Sequence, residues 1–185
     1  NMTMPGRTAS TEVFMLEAAI HEFDSIRWLL GQELEEVYVK GVNTEPSLGK
    51  DVLDLILIQA SLTGDCLATF DIYLCANYGY EIGFELVGEN GTVSIGPPGP
   101  PVVRTNQSYS AEIEDGWSKR LSQAYLSEVQ SWASSVSRGT PTGPSAWDGY
   151  MSLLGSVYGL KSLKSGNPER IPLHNKPPLY QTSDS

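Results

Sequence analysis

The stretch VLDLILIQASLTGDCLATFDIYLCANY, residues 52–78, decides the fold. It holds two strongly apolar, β-branched and aromatic runs, 52–62 and 66–78, around the turn Thr63-Gly64-Asp65. In the second run Leu67, Thr69, Asp71, Tyr73 and Cys75 share one face, and Ala68, Phe70, Ile72, Leu74 and Ala76 the other. Apolar residues on both faces point to a sheet covered twice, by helices on one side and by another subunit on the other.

Working outward, LEEVYVKGV (34–42) alternates in part and precedes the hairpin as a third strand. EIGFELVG (81–88) and TVSIG (92–96) flank Glu89-Asn90-Gly91, where Asn-Gly signals a further hairpin turn. PPGPPVV (97–103) is a stiff edge or connector, because proline cannot donate to a central ladder. Before the strands, helical periodicity runs from about Leu16 to Leu30, with Gly31 as its stop and Ile20, Phe23, Ile26 and Leu30 on an apolar face. After them, a helix is expected from about Asp115 to Val136, striped by Trp117, Leu121, Ala124, Tyr125, Val129, Trp132 and Val136. Another starts at Ser145, where Asp148 completes a capping box, and ends near Gly166. ERIPL (169–173) adds a short strand. Strands and helices do not alternate regularly, so the expected class is α+β: an open, mainly antiparallel sheet with helices packed on one face. Residues 1–180 are read as one domain and 181–185 as a tail.

Composition narrows the function. A net charge of −10 leaves no clustered basic surface for a nucleic-acid backbone. No apolar run reaches the roughly 18 residues of a membrane span, and the first ten residues lack the apolar core of a signal peptide. The expectation is a cytoplasmic protein without nucleic-acid or membrane partners. Cys66 and Cys75 form no metal-binding spacing and read as buried free thiols, with a disulfide between them as the alternative. The chain opens on Asn1 rather than methionine, and an upstream segment is expected.

One arrangement suits acid–base chemistry. In EAAIHEFDSIRW (17–28), Glu17, His21, Asp24 and Trp28 follow at spacings of four, three and four, a narrow helical stripe. A carboxylate one turn from an imidazole can orient it and stabilise its protonated form. A surface ion pair, or a histidine packed on Trp28, is the structural alternative. For Asp24 and Arg27 the reading is a helix-surface pair or a tie to a neighbouring strand. No glycine-rich phosphate loop or serine nucleophile elbow is present in the sequence.

Four stretches in order, AIHEFDSIRWLLGQE (19–33), NYGYEIGFELVGENGTVSIG (77–96), SQAYLSEVQSW (122–132) and GPSAWDGY (143–150), resemble the C-terminal domain of the Gfo/Idh/MocA oxidoreductases, nearest their inositol 2-dehydrogenase group. The resemblance runs from Asn1 to about Tyr180. It implies one part of an NAD- or NADP-dependent enzyme oxidising a hydroxyl of a polyol or sugar. A missing N-terminal Rossmann domain would bind most of the cofactor and supply a lysine, leaving this fragment inactive alone. The far side of the sheet would join copies into a homo-oligomer. A non-catalytic polyol-binding or assembly module of the same fold is the alternative.

By the same resemblance, His21 corresponds to the histidine that relays the substrate hydroxyl proton. Glu17 stands where those dehydrogenases usually carry aspartate, one methylene shorter. Asn1 and Tyr80 correspond to substrate contacts, and Tyr125 to a tyrosine near the nicotinamide, with Gln123 in place of a more usual aspartate. Sheet or core packing is the alternative for both tyrosines. Asp148 reads as a helix cap rather than a ligand.

Overall fold

The computed structural model describes residues 10–76, 78–96, 103–105, 108–110, 116–140 and 142–181. In chain order the elements are α1 (Thr11–Phe14), a π-helical turn (Met15–Ala19), α2 (Ile20–Leu30), β1 (Leu34–Val42), β2 (Leu55–Leu62), β3 (Cys66–Tyr73), β4 (Phe84–Gly88), β5 (Gly91–Ile95), β6 (Val103–Thr105), β7 (Ser108–Ser110), α3 (Trp117–Arg120), α4 (Ser122–Ser137), α5 (Ala146–Ser165) and β8 (Glu169–Arg170). They fall into two compact units, one built from Met4–Leu74 with Thr142–Ser185 and the other from Cys75–Pro141.

The first unit is built on a four-stranded sheet in the order β3-β2-β1-β8, and every neighbouring pair is antiparallel. The hairpin of β2 and β3 forms one side of it, with β3 at the edge: Leu62 pairs with Cys66 and Ile56 with Ile72. The first strand of that hairpin begins at Leu55 rather than Val52. Asn43 Nδ2 donates to the carbonyls of Gly49 and Val52, at 2.8 and 2.5 Å, which keeps the preceding residues in a loop. The buried Asp54 accepts from the Thr44 amide and hydroxyl, at 2.6 and 2.5 Å. Both of its oxygens are thereby used inside the protein, as a buried carboxylate requires.

One face of this sheet is a core. Val37, Val39, Ile56, Ile58, Ala60 and Leu62 are buried there under Met15, Ala19 and Phe23 of the helical segment. Phe23 meets Phe70 of β3 edge to face, with ring centroids 5.7 Å apart. A bulge between Leu34 and Glu36 explains why β1 alternates only in part. It inserts one residue, so Leu34 and Val37 both point into the core. The opposite face carries Glu36, Tyr38, Lys40, Gln59, Thr69 and Asp71 among its apolar residues, and Leu67 there is 84% exposed. It is a mixed face, less apolar than the run lengths imply. The open, mainly antiparallel sheet with helices on one face is the α+β class expected from the sequence.

Helix α5 lies on β1, α2 and the π-helical turn through small residues: Ser152, Gly155, Ser156, Gly159 and Ser162 are all among its buried positions. Its serines are bonded rather than stranded. Ser156 Oγ donates to the Met15 carbonyl at 2.9 Å. Ser162 Oγ accepts from the Val39 amide at 3.0 Å, on the stretch of β1 beyond the two-residue pairing with β8, and donates to the Asn167 carbonyl at 2.6 Å. The predicted capping box is present, with the Ser145 amide and hydroxyl each 2.7 Å from Asp148 Oδ2. Gly31 and Gly166 end their helices in the left-handed region, at φ 62° and 72°. Residues 169–173 contribute the two-residue β8 rather than a full strand.

In the second unit, β4 and β5 form the predicted hairpin, turning at Glu89-Asn90 with Gly88 opposite Gly91. β6 pairs with β7 in a second hairpin, and of the Pro-rich run 97–103 only Val103 falls within the described residues. The helix expected over 115–136 is broken at Leu121, whose φ of −106° and ψ of 7° interrupt it between α3 and α4. Its stripe is exposed: Tyr125, Val129, Trp132 and Val136 all reach solvent.

Candidate functional site

Helix α2 and the turn before it carry the acid–base stripe. Ser10 caps the segment by accepting from the Val13 amide at 3.2 Å, so the helical run starts earlier than Leu16. Glu17 sits on the π-helical turn and His21 in the first turn of α2, both exposed. Asp24 follows half-buried, and Trp28, 81% exposed, ends the stripe. The π-helical turn changes the winding between Glu17 and His21, a local device often found at functional sites. Glu22, next to His21, is half-buried, and burial raises its carboxyl above the ordinary value, the His21 charge acting in the opposite direction.

Behind the stripe lies a polar cluster that the periodicity did not single out. Arg27 is buried, its side chain 6% exposed. Nε and Nη2 donate to the two carboxylate oxygens of Glu33 at 2.6 and 2.8 Å, a forked pair. Nη1 donates to the Asp148 carbonyl at 3.3 Å and to Ser152 Oγ at 3.4 Å. The carboxylates of Asp24 and Asp148 each stand 3.7 Å from the guanidinium. Ser152 Oγ also lies 3.0 Å from Asp24 Oδ1. Burial opposes the Arg27 charge, and the Glu33 bonds and the surrounding carboxylates outweigh it, raising its pKa. Burial likewise works against the Asp148 carboxylate, but hydrogen bonds from Ser145 and the Arg27 charge more than offset it and hold that carboxyl below its usual range. The sequence did hold a signal for this cluster: Arg27 follows Phe23 by four residues, and so falls on the buried side of the helix.

The other expected site residues lie elsewhere. Tyr80 is half-buried ahead of β4, and Tyr125 is about half exposed on α4, its ring 5.8 Å from Trp117 in an edge-on contact. Both belong to the second compact unit, whereas Glu17 and His21 belong to the first. Asn1 lies outside the described residues. Cys66 and Cys75 are half-buried thiols. Among the described residues no group of histidine, cysteine and acidic side chains is arranged to hold a metal ion, and no helix is long and apolar enough to cross a membrane.

The first unit is thus an open antiparallel sheet backed by helices, with an exposed histidine and carboxylate on its leading helical segment. Residues 8–172 match the family model described as "Oxidoreductase family, C-terminal alpha/beta domain", and the chain belongs to this Gfo/Idh/MocA family. It is 44% identical to the inositol 2-dehydrogenase of Rubrobacter xylanophilus over 96% of its length, and 33% identical to inositol 2-dehydrogenase 1 of Saccharopolyspora erythraea over 92%. In each case it spans 51% of the relative, so the chain covers about half the length of the curated relatives it matches. The crystal structure of myo-inositol dehydrogenase from Lactobacillus casei in complex with NAD(H) and myo-inositol superposes with a TM-score of 0.88 at 28% identity, covering 98% of this chain and 54% of that one.

Proposed function

We propose that this chain is the substrate-binding and assembly half of an NAD(P)-dependent dehydrogenase that oxidises a polyol or sugar hydroxyl, inositol-like, to a ketone. The observation that carries the reading is His21, exposed on α2 with Glu17 four residues before it, within a chain whose relatives are named inositol 2-dehydrogenases. The cofactor, when bound, accepts the hydride from the carbinol carbon. This chain has no glycine-rich phosphate loop, so the reading assigns most of the dinucleotide contact to an N-terminal half, with Tyr125 beside the nicotinamide.

His21 takes the hydroxyl proton as the carbon–hydrogen bond breaks, so the alcohol leaves as a ketone with charge balanced. Glu17 orients the imidazole and stabilises its charged form. Its extra methylene, relative to aspartate, moves the carboxylate by about 1 Å, enough to tune rate or substrate choice. Asn1 and Tyr80 bind the polyol. Copies associate through the outer face of the sheet, and the protein works in the cytoplasm.

The test uses a full-length protein carrying an NAD-binding half ahead of this chain, assayed for NAD⁺ reduction with myo-inositol and related sugars. His21→Ala is expected to lower kcat roughly 100-fold or more. Equal turnover by wild type and variant would remove the proton-relay role. The chain by itself is expected to show no turnover.

A further inference from the structure

We propose that Arg27 is a positioning residue for His21, locking the rotation of α2 so that the imidazole meets its substrate in one orientation. The inference rests on the reading of His21 as proton relay. It is carried by geometry that joins Arg27 to Glu33 and to α5, and to Asp24 on its own helix.

The guanidinium first grips Glu33 through two bonds, at 2.6 and 2.8 Å. Glu33 is itself fixed to the β2–β3 turn: its amide donates to Thr63 Oγ1 at 3.0 Å, and its carbonyl accepts from the Thr63 amide at 2.9 Å. A third bond reaches the Asp148 carbonyl in the first turn of α5, 3.3 Å away. Finally, Arg27 and Ser152 both approach Asp24 Oδ1, at 3.7 and 3.0 Å. Asp24 lies one turn beyond His21 on the same stripe, so the cluster holds the side of the helix that carries the imidazole.

Rotation about its own axis is the freedom that would swing His21 away from a reacting hydroxyl. Packing of the fully buried Phe23 also resists it, through contacts that have no fixed direction. A planar fork bonded to fixed partners resists it directionally. Lysine at this position keeps the charge and loses the fork.

The experiment measures kcat and KM for the polyol in the full-length enzyme for wild type, Arg27→Lys, His21→Ala and the double variant, well below each protein's Tm. Arg27→Lys is expected to lower kcat roughly 10- to 100-fold, with KM shifted less than about threefold. In the His21→Ala background the same change is expected to add no further loss, because a residue acting through His21 has nothing left to position. An equal loss in both backgrounds, or a lower Tm with kcat unchanged, overturns the proposal and leaves the His21 reading intact. Full activity in His21→Ala overturns both. Should Arg27→Lys fail to fold, Glu33→Gln, at a half-exposed partner, takes its place with the same expected pattern at smaller amplitude, and unchanged kcat there overturns the proposal.

Discussion

Arg27 and Glu22 sit five residues apart on α2, and burial acts against the charge of each. For Arg27 the carboxylates around it reverse that effect. For Glu22 burial prevails: the carboxyl rises above its ordinary value, with His21 opposing the shift and Asp71 adding to it. A raised carboxyl holds its proton more tightly in the folded chain than in the unfolded one. The stability it contributes is therefore complete below the ordinary carboxylate range and is lost as pH climbs through the raised value. At neutral pH the ionised Glu22 opposes folding. Glu22→Gln is expected to raise Tm at about pH 7 and to lose that advantage below about pH 4, where both side chains are neutral. Thermal melts of the two proteins across this range check it; an advantage that is constant with pH, or largest in acid, would contradict the burial argument.

At the scale of elements, α5 meets the rest of its unit through glycine and serine, and these positions are not equivalent. A Cβ at Gly155 would stand 2.8 Å from the Phe23 ring and 3.0 Å from Leu34, both fully buried and boxed in by the sheet. At Gly159 the nearest atom, at 2.5 Å, is the terminal methyl of Met15, the far end of a flexible side chain. Alanine gains about 1 kcal/mol of helix propensity at either site, against about 1–3 kcal/mol for overpacking a rigid core. Gly155→Ala is thus expected to lower the denaturant midpoint, and Gly159→Ala to change it little. A reversed order would mean that Phe23 yields more readily than Met15. The same helix explains what the sequence concealed. Its buried face mixes Ser152, Ser156 and Ser162 with Trp147 and Met151, while Leu153 and Val157 are partly exposed, so hydrophobic periodicity marks that face only weakly. Strands β1 to β5, the Ser145–Asp148 box and the Gly31 and Gly166 stops were legible because each has a local chemical cause. The β1 bulge and the Arg27 partners Asp148 and Ser152 depend on residues distant in sequence, whereas the stripe holding Glu17 and His21 and the place of Arg27 on the buried side of α2 follow from helical spacing.

At the scale of the molecule, the sheet has a sealed face and an open one. The sealed face carries the core under α2 and α5. On the open face Leu57 and Val42 are about half exposed, and Leu67 almost wholly so. They stand among Lys40, Gln59, Thr69 and Asp71 rather than forming an unbroken apolar patch. Such a mixture suits either a solvated antiparallel face or the moderately polar surface of a subunit contact. The proposed assembly through this face separates the two. It predicts that the chain is a dimer or larger by light scattering, and that Leu67→Lys shifts it toward monomer. Leu67 points away from the core, so the change leaves Ala68 and Phe70 in place and the far-ultraviolet spectrum unaltered. A wild-type chain that is monomeric at high concentration would return the face to solvent, and a Leu67→Lys variant that keeps its mass would move the contact to another surface.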